Sequence, residues 1–177
     1  MLYTTSNTVN GYNTLWFTAG TPAAALYASI PAINGVVPSV FFVTKSATAT
    51  WADYTSIFEH ATGGGRLGIY MGAGSTSTSG NNFHFVYRNN TLVGGTPSGS
   101  GWGASVSSVN LTTIDSFFAC GLGGTNAPTA NDFAIGAWES LGYHCGCYIA
   151  EVLVYSSTLS STDAATVMSY LVTKYAL

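Results

Sequence analysis

Apolar residues in this chain come in short bursts separated by polar, glycine-rich stretches, and only after Cys147 does the pattern change. Ser39-Val-Phe-Phe-Val-Thr-Lys45, bounded by Pro38 and a Ser/Thr/Ala stretch, predicts a strand. Ser56 to His60 and Arg66 to Met71 predict a hairpin across Gly63-Gly64-Gly65. Phe83 to Arg88 alternates strictly, with Phe83, Phe85 and Tyr87 on one face and His84, Val86 and Arg88 on the other. Ser116 to Leu122 and Asp132 to Trp138 predict two more core strands. Residues 1–12 read as an N-terminal arm or first strand, ahead of one domain over 13–177. Thr14 to Phe17 is a short aromatic stretch, and Ala23 to Ile33 holds a strand or a short helical turn. Gly72 to Asn82 and Gly94 to Val109 read as loops; one as long as the second, inside a compact domain, is often functional. Strands at this spacing, with almost no helix before Ser160, predict an all-β fold, a two-sheet antiparallel jelly-roll sandwich.

Cys147-Tyr-Ile-Ala-Glu-Val-Leu-Val-Tyr155 is a nearly continuous apolar run, the pattern of a strand buried on both faces. A polar turn follows. Ser160 and Asp163 have the spacing of a capping box, which starts a helix over 161–174. Ala164, Val167, Met168, Leu171 and Tyr175 form its apolar stripe, with Ser169, Thr173 and Lys174 off it. The expectation is that Val167, Met168 and Leu171 are buried against a sheet.

Ile149-Ala-Glu-Val-Leu-Val-Tyr155, Leu159-Ser160 and Tyr170-Leu-Val-Thr-Lys-Tyr175 resemble the C-terminal signature of the laminin-G-like branch of the concanavalin A-like lectin/glucanase superfamily. The resemblance covers 147–177 and extends more weakly over Ser39 to Met71. The chain departs from the family pattern at Cys147 and at Ala176, where glycine is usual. The resemblance implies a concanavalin A-like sandwich with a short C-terminal helix, and it implies that Glu151 is a structural residue of the closing strand. Family relatives often bind calcium at a loop edge, which here leaves Asp53 and Asp132 as the acidic candidates. Without an Asp-x-Asp cluster, the expectation is no cofactor, with calcium the one exception to test.

Only 6% of the residues are charged, 47% are hydrophobic and 14% aromatic, with 21 glycines. That aromatic content excludes a disordered chain, and no apolar run is long and uninterrupted enough to span a membrane. With a net charge of -3 and only Lys45, Arg66, Arg88 and Lys174 as fixed cations, a stripe able to neutralise several phosphates is out of reach, so nucleic acid is not an expected partner. The surface must therefore show Ser, Thr, Asn, Gly and Tyr to water, which suits display outside a cell or packing in a large assembly. Met1 to Thr5 carries no secretory signal as written, so export with a leader removed or by assembly into a virion is the expectation.

Catalytic chemistry finds little to work with. The carboxylates Asp53, Glu59, Asp115, Asp132, Glu139, Glu151 and Asp163 are scattered, and none matches the two glutamates around an aspartate, at alternating positions on one strand face, that glucanases of the resembled superfamily carry. His144-Cys145-Gly146-Cys147, with Cys120, leaves three readings open. The cysteines are small buried apolar groups, one disulfide links Cys120 to Cys145 or Cys147, or zinc is bound; the spacing favours the first. Sugar recognition needs flat aromatic faces with planar polar groups at their edge. Trp51, Tyr54, Trp102 and Tyr143, with Asn81, Asn82, Asn126 and Asp132, offer both, and Trp51, Tyr54, Trp102, Asn126, Asp132 and Tyr143 are the candidate ligand-binding residues. Asn89 and Asn110 fit the glycosylation acceptor pattern, relevant only in a eukaryotic secretory pathway. The expected function is thus a non-catalytic, multivalent recognition or adhesion module for glycan or a neighbouring subunit, in a homo-oligomer or larger assembly. A structural capsid, fibre or decoration subunit is the competing expectation, and a glycan hydrolase is disfavoured.

Overall fold

The structure, a computed structural model, describes residues 2–18, 25–29, 38–46, 55–60, 67–72, 75–77, 82–88, 91–94, 117–123, 132–136 and 146–177. The described chain is mostly β, with antiparallel pairing throughout and one C-terminal helix. Its elements are β1 (Leu2–Val9), β2 (Tyr12–Phe17), β3 (Leu26–Ser29), β4 (Ser39–Ser46), β5 (Thr55–His60), β6 (Leu67–Gly72), β7 (Ser75–Ser77), β8 (Asn82–Arg88), β9 (Thr91–Gly94), β10 (Phe118–Gly123), β11 (Asp132–Ile135), β12 (Cys147–Tyr155) and α1 (Ser161–Tyr175). One sheet runs in the order β1-β2-β12-β4-β10-β8-β9, and the second in the order β3-β11-β5-β6-β7.

Of the arm or first strand expected over 1–12, the structure has the strand, β1, paired with β2 in a hairpin. Val9 pairs with Tyr12, leaving Asn10 and Gly11 as a two-residue turn, and both take left-handed backbone angles (φ 46° and 79°). Asn-Gly is the dipeptide that tolerates two successive positive φ values, and the resulting turn twist matches that of the strands it joins. Farther along, the β1–β2 register breaks between Thr4 and Thr8, and the buried Thr14 hydroxyl donates to the Asn7 carbonyl at 2.6 Å, so the irregular stretch has a partner. Ala23 to Ile33 contributes a strand, β3, rather than a helical turn.

The predicted strands recur as β4, β5, β6, β8, β10 and β11, with ends shifted by a few residues. His60 pairs with Leu67, as the predicted hairpin requires. One short strand falls where a loop was expected, β7 within Gly72 to Asn82, and a further one, β9, for which no element was expected, follows β8 closely, with Arg88 opposite Thr91. The β8–β10 register steps between Phe85↔Gly121 and Phe83↔Leu122.

β12 is the axis of the larger sheet, flanked by β2 and β4, with a register shift between Ile149 and Glu151. Cys147 and Ile149 are buried, but Tyr148 between them and the strand from Ala150 to Tyr155 are only half-buried, so the expected burial on both faces is not what β12 shows. The reason lies in what covers each face. Val40 and Phe42 of β4 and Phe17 of β2 are fully buried on the face away from the helix, and Phe17 packs so close to Gly136, just past β11 of the second sheet, that a Cβ there would sit 2.2 Å from its ring. On the other face Phe41, Val43, Phe117 and Ala119 join Ala164, Met168, Leu171, Tyr175 and Leu177 in one core. The helix crosses only part of this face.

Three buried polar side chains are satisfied. Ser39 donates to the Ser157 carbonyl and accepts from the Leu159 amide, which fixes the turn into the helix. Thr44 donates to the Tyr148 carbonyl at 2.9 Å, beside the β12 irregularity, and Thr14 is accounted for above.

α1 starts where the capping spacing predicts. The Ser160 hydroxyl accepts from the Asp163 amide at 3.1 Å and donates to the Asp163 carboxylate at 2.7 Å. It ends in a Schellman arrangement: Leu177 donates its amide to the Val172 carbonyl, and Ala176 sits in the left-handed region (φ 53°) that glycine would occupy without strain. Buried Leu177 joins the core beside Val172, as this motif favours. Met168 and Leu171 are buried as expected, together with Ala164 and Tyr175, whereas Val167 is only half-buried, at the margin of the stripe.

Candidate functional site

Two polar or aromatic constellations stand out among the described residues. The first surrounds Glu151. Lys174, on the last turn of α1, places its ammonium 3.1 Å from the Glu151 carboxylate and 2.9 Å from the Tyr170 hydroxyl, to which it donates. Its nitrogen also lies over the rings of Tyr12, Tyr170 and Tyr175, between 5.1 and 5.3 Å from each centroid. A cation over three aromatic faces, with a carboxylate at its side, is strongly held in its charged form. The Tyr170 hydrogen bond first, then Glu151, raise the Lys174 ammonium above the usual lysine range, against the opposing effect of burial. Tyr175 is buried and sits near the same carboxylate, which together push its phenol up to about 12. Asn10, in the β1–β2 turn, donates its side-chain amide to the Lys174 carbonyl at 2.8 Å, satisfying one of the carbonyls a helix end leaves open. This constellation ties the closing strand, the helix end and the first hairpin together, and it engages Glu151 with a cation of its own chain. The structural role that the resemblance implies for Glu151 fits this geometry.

The second constellation is a row across one end of the helix-bearing face. Trp16 pairs with Tyr148, and Tyr148 pairs with Lys45, so the three side chains share one face across β2, β12 and β4. The Trp16 and Tyr148 rings stack with centroids 6.2 Å apart, and the Lys45 ammonium lies 5.7 Å over the Phe117 ring at the start of β10. Trp16, Tyr148 and Lys45 are each half-buried, and Phe117 is buried. Flat rings with a cation at their edge can take up sugar C–H faces and offer a donor to an oxygen.

Of the sequence-predicted ligand-binding residues, Trp51, Tyr54, Trp102, Asn126 and Tyr143 lie outside the described residues, as do Asp53, Asn81, His144 and Cys145. Asp132 opens β11 opposite Ser29. β2 ends at Phe17, β4 ends at Ser46 and β12 begins at Cys147, and these three positions are paired neighbours at one end of the sheet.

Trp16, Tyr148 and Lys45 were not among the sequence candidates. Each sits in a strand pattern, and only register places them side by side. Cys147 corrects another expectation: it is in a disulfide, not a free buried thiol. No group of three or more His, Cys, Asp or Glu side chains that could hold a metal occurs among the described residues, and no described helix is long and apolar enough to cross a membrane. Comparison with family models, with curated proteins and with solved structures finds no match.

Proposed function

We propose that this chain is a non-catalytic recognition module of the concanavalin A-like, laminin-G-like type, displayed outside a cell or on a virion surface, that binds glycan through the sheet end carrying Trp16, Tyr148 and Lys45. The observation that carries this reading is the paired aromatic row itself. Antiparallel sheets of seven and five strands, a closing β12 and the helix that follows support the jelly-roll sandwich. Hydrolysis has no place in the proposal, because Glu151 is committed to Lys174. Each site is weak and several copies act together, since a surface with few charges neither repels its neighbours nor steers charged ligands.

A second reading has its own support. Tyr12, Tyr27 and Tyr170 are 46%, 51% and 47% exposed, and such rings give contact area at low entropic cost, as subunit packing in a capsid, fibre or decoration layer would use. A glycan array probed with the isolated subunit and with the native assembly, over a range of salt, separates the two. Glycan recognition predicts signal from the assembly, little from the subunit and little change with salt. Tight binding by the subunit alone, or collapse as salt rises, contradicts the weak multivalent site, and silence from both forms supports packing instead.

A further inference from the structure

Cys147 opens β12, is fully buried, and is disulfide-bonded. The chain has three cysteines, so within one copy its partner is Cys120 or Cys145. The strand register decides between them. Cys147 is opposite Ser46 of β4, and Cys120 of β10 is opposite Phe42 of the same strand. Cys120 is therefore two strands across and four residues along, about 10 Å by about 13 Å, or about 16 Å between Cα atoms, at ordinary sheet spacings. A disulfide needs Cα atoms no more than about 7 Å apart. Strand β4, with Phe42 and Thr44 fully buried, stands between the two positions.

We propose that Cys147 is bonded to Cys145 and that Cys120 is the chain's single free thiol. Closure joins the two sulfurs, and the two electrons and two protons leave to an external disulfide oxidant by thiol–disulfide exchange. Such bonds persist in oxidising surroundings, which accords with a chain displayed outside the cell.

The test is thiol counting and peptide mapping of the intact chain under non-reducing conditions. The expected result is one titratable thiol after denaturation, a mass lighter by two hydrogens than the fully reduced chain, and a peptide containing 145–147 with an internal bridge. Cys120→Ser should leave no titratable thiol and keep the bridge, while Cys145→Ser should expose two thiols, at Cys120 and Cys147. A bridged peptide containing Cys120, a covalent dimer through Cys147, or three free thiols in chain prepared and kept under oxidising conditions would each overturn the assignment. The mapping of the unsubstituted chain decides the matter even if a variant fails to fold.

Discussion

Replacing Leu171 with alanine tests the packing that joins the helix to the sheet. Leu171 has no exposed surface and lies in the cluster of Phe41, Val43, Ala119, Met168 and Tyr175. Truncation removes apolar atoms that contribute about 2 kcal/mol by transfer from water, and leaves a void whose walls are strands and a capped helix, with little freedom to collapse. Adding the cavity cost gives a loss of about 3 to 4 kcal/mol, within the range found for buried leucines. For a chain of this size that corresponds to a fall in Tm of about 8 to 12 °C. The assay is thermal unfolding followed by circular dichroism, with Ser169→Ala, exposed on the same helix, as the control. The control should stay within about 0.5 kcal/mol of wild type. A Leu171→Ala melt indistinguishable from the control would show that the helix does not rest on this sheet face.

Other outcomes follow from the same geometry. Ala176→Gly should raise stability by about 1 kcal/mol, because the left-handed C-terminal position costs a residue with a Cβ about that much and costs glycine little; chemical denaturation midpoints measure it. Gly136→Ala should destabilise by about 2 to 5 kcal/mol, since the new methyl both strains a φ of 83° and strikes the Phe17 ring, and an unchanged midpoint would sink the contact between the two sheets at this point. The phenol of Tyr175 has its folded pKa raised, so its contribution is fully present below about pH 10, the unfolded value, and is lost as pH climbs towards 12, by up to about 3 kcal/mol. The raised Lys174 ammonium acts in the same direction, and absorbance titration of tyrosinate alongside alkaline unfolding should show one late phenol in the wild type that is missing in Tyr175→Phe. Reducing-end assays on a polysaccharide panel should show no turnover; turnover abolished by Glu151→Gln would reassign Glu151 from the Lys174 ion pair to chemistry.

What the sequence made legible was whatever rests on local pattern. The Ser160/Asp163 spacing and the stripe through Met168 and Leu171 carry α1 almost to the residue, because both cap and stripe are set within a few turns of one helix. The long apolar strands were equally visible in β4 and β12. β7 and β9 were not, since Ser75-Thr76-Ser77 and Thr91 to Gly94 lack a clear apolar alternation and are strands only by virtue of a neighbour to pair with. The first hairpin did carry its signal, Asn10-Gly11 between Val9 and Tyr12, but it is embedded in polar residues that read equally as an arm. The half-burial of Ala150 to Tyr155 follows from how much of one face the helix covers, a property no single strand encodes. The site shows the same division: loop aromatics can be picked out by composition, whereas Trp16, Tyr148 and Lys45 become one row only through the register of three strands far apart in the chain. The disulfide at Cys147 was one of the alternatives left open, and register is also what separates Cys120 from it.

Glycan recognition by the end of the sheet carrying Trp16 and Tyr148 is put to the test by binding of the native assembly and of its Trp16→Ala and Tyr148→Ala variants to the strongest ligand from a glycan array, each variant first shown by circular dichroism and solution size to fold and assemble. Each variant should lose about tenfold or more per site, equivalent to about 1.4 kcal/mol, multiplied further by avidity in the assembly. Assembled variants that bind the same glycan as tightly as wild type would place recognition elsewhere.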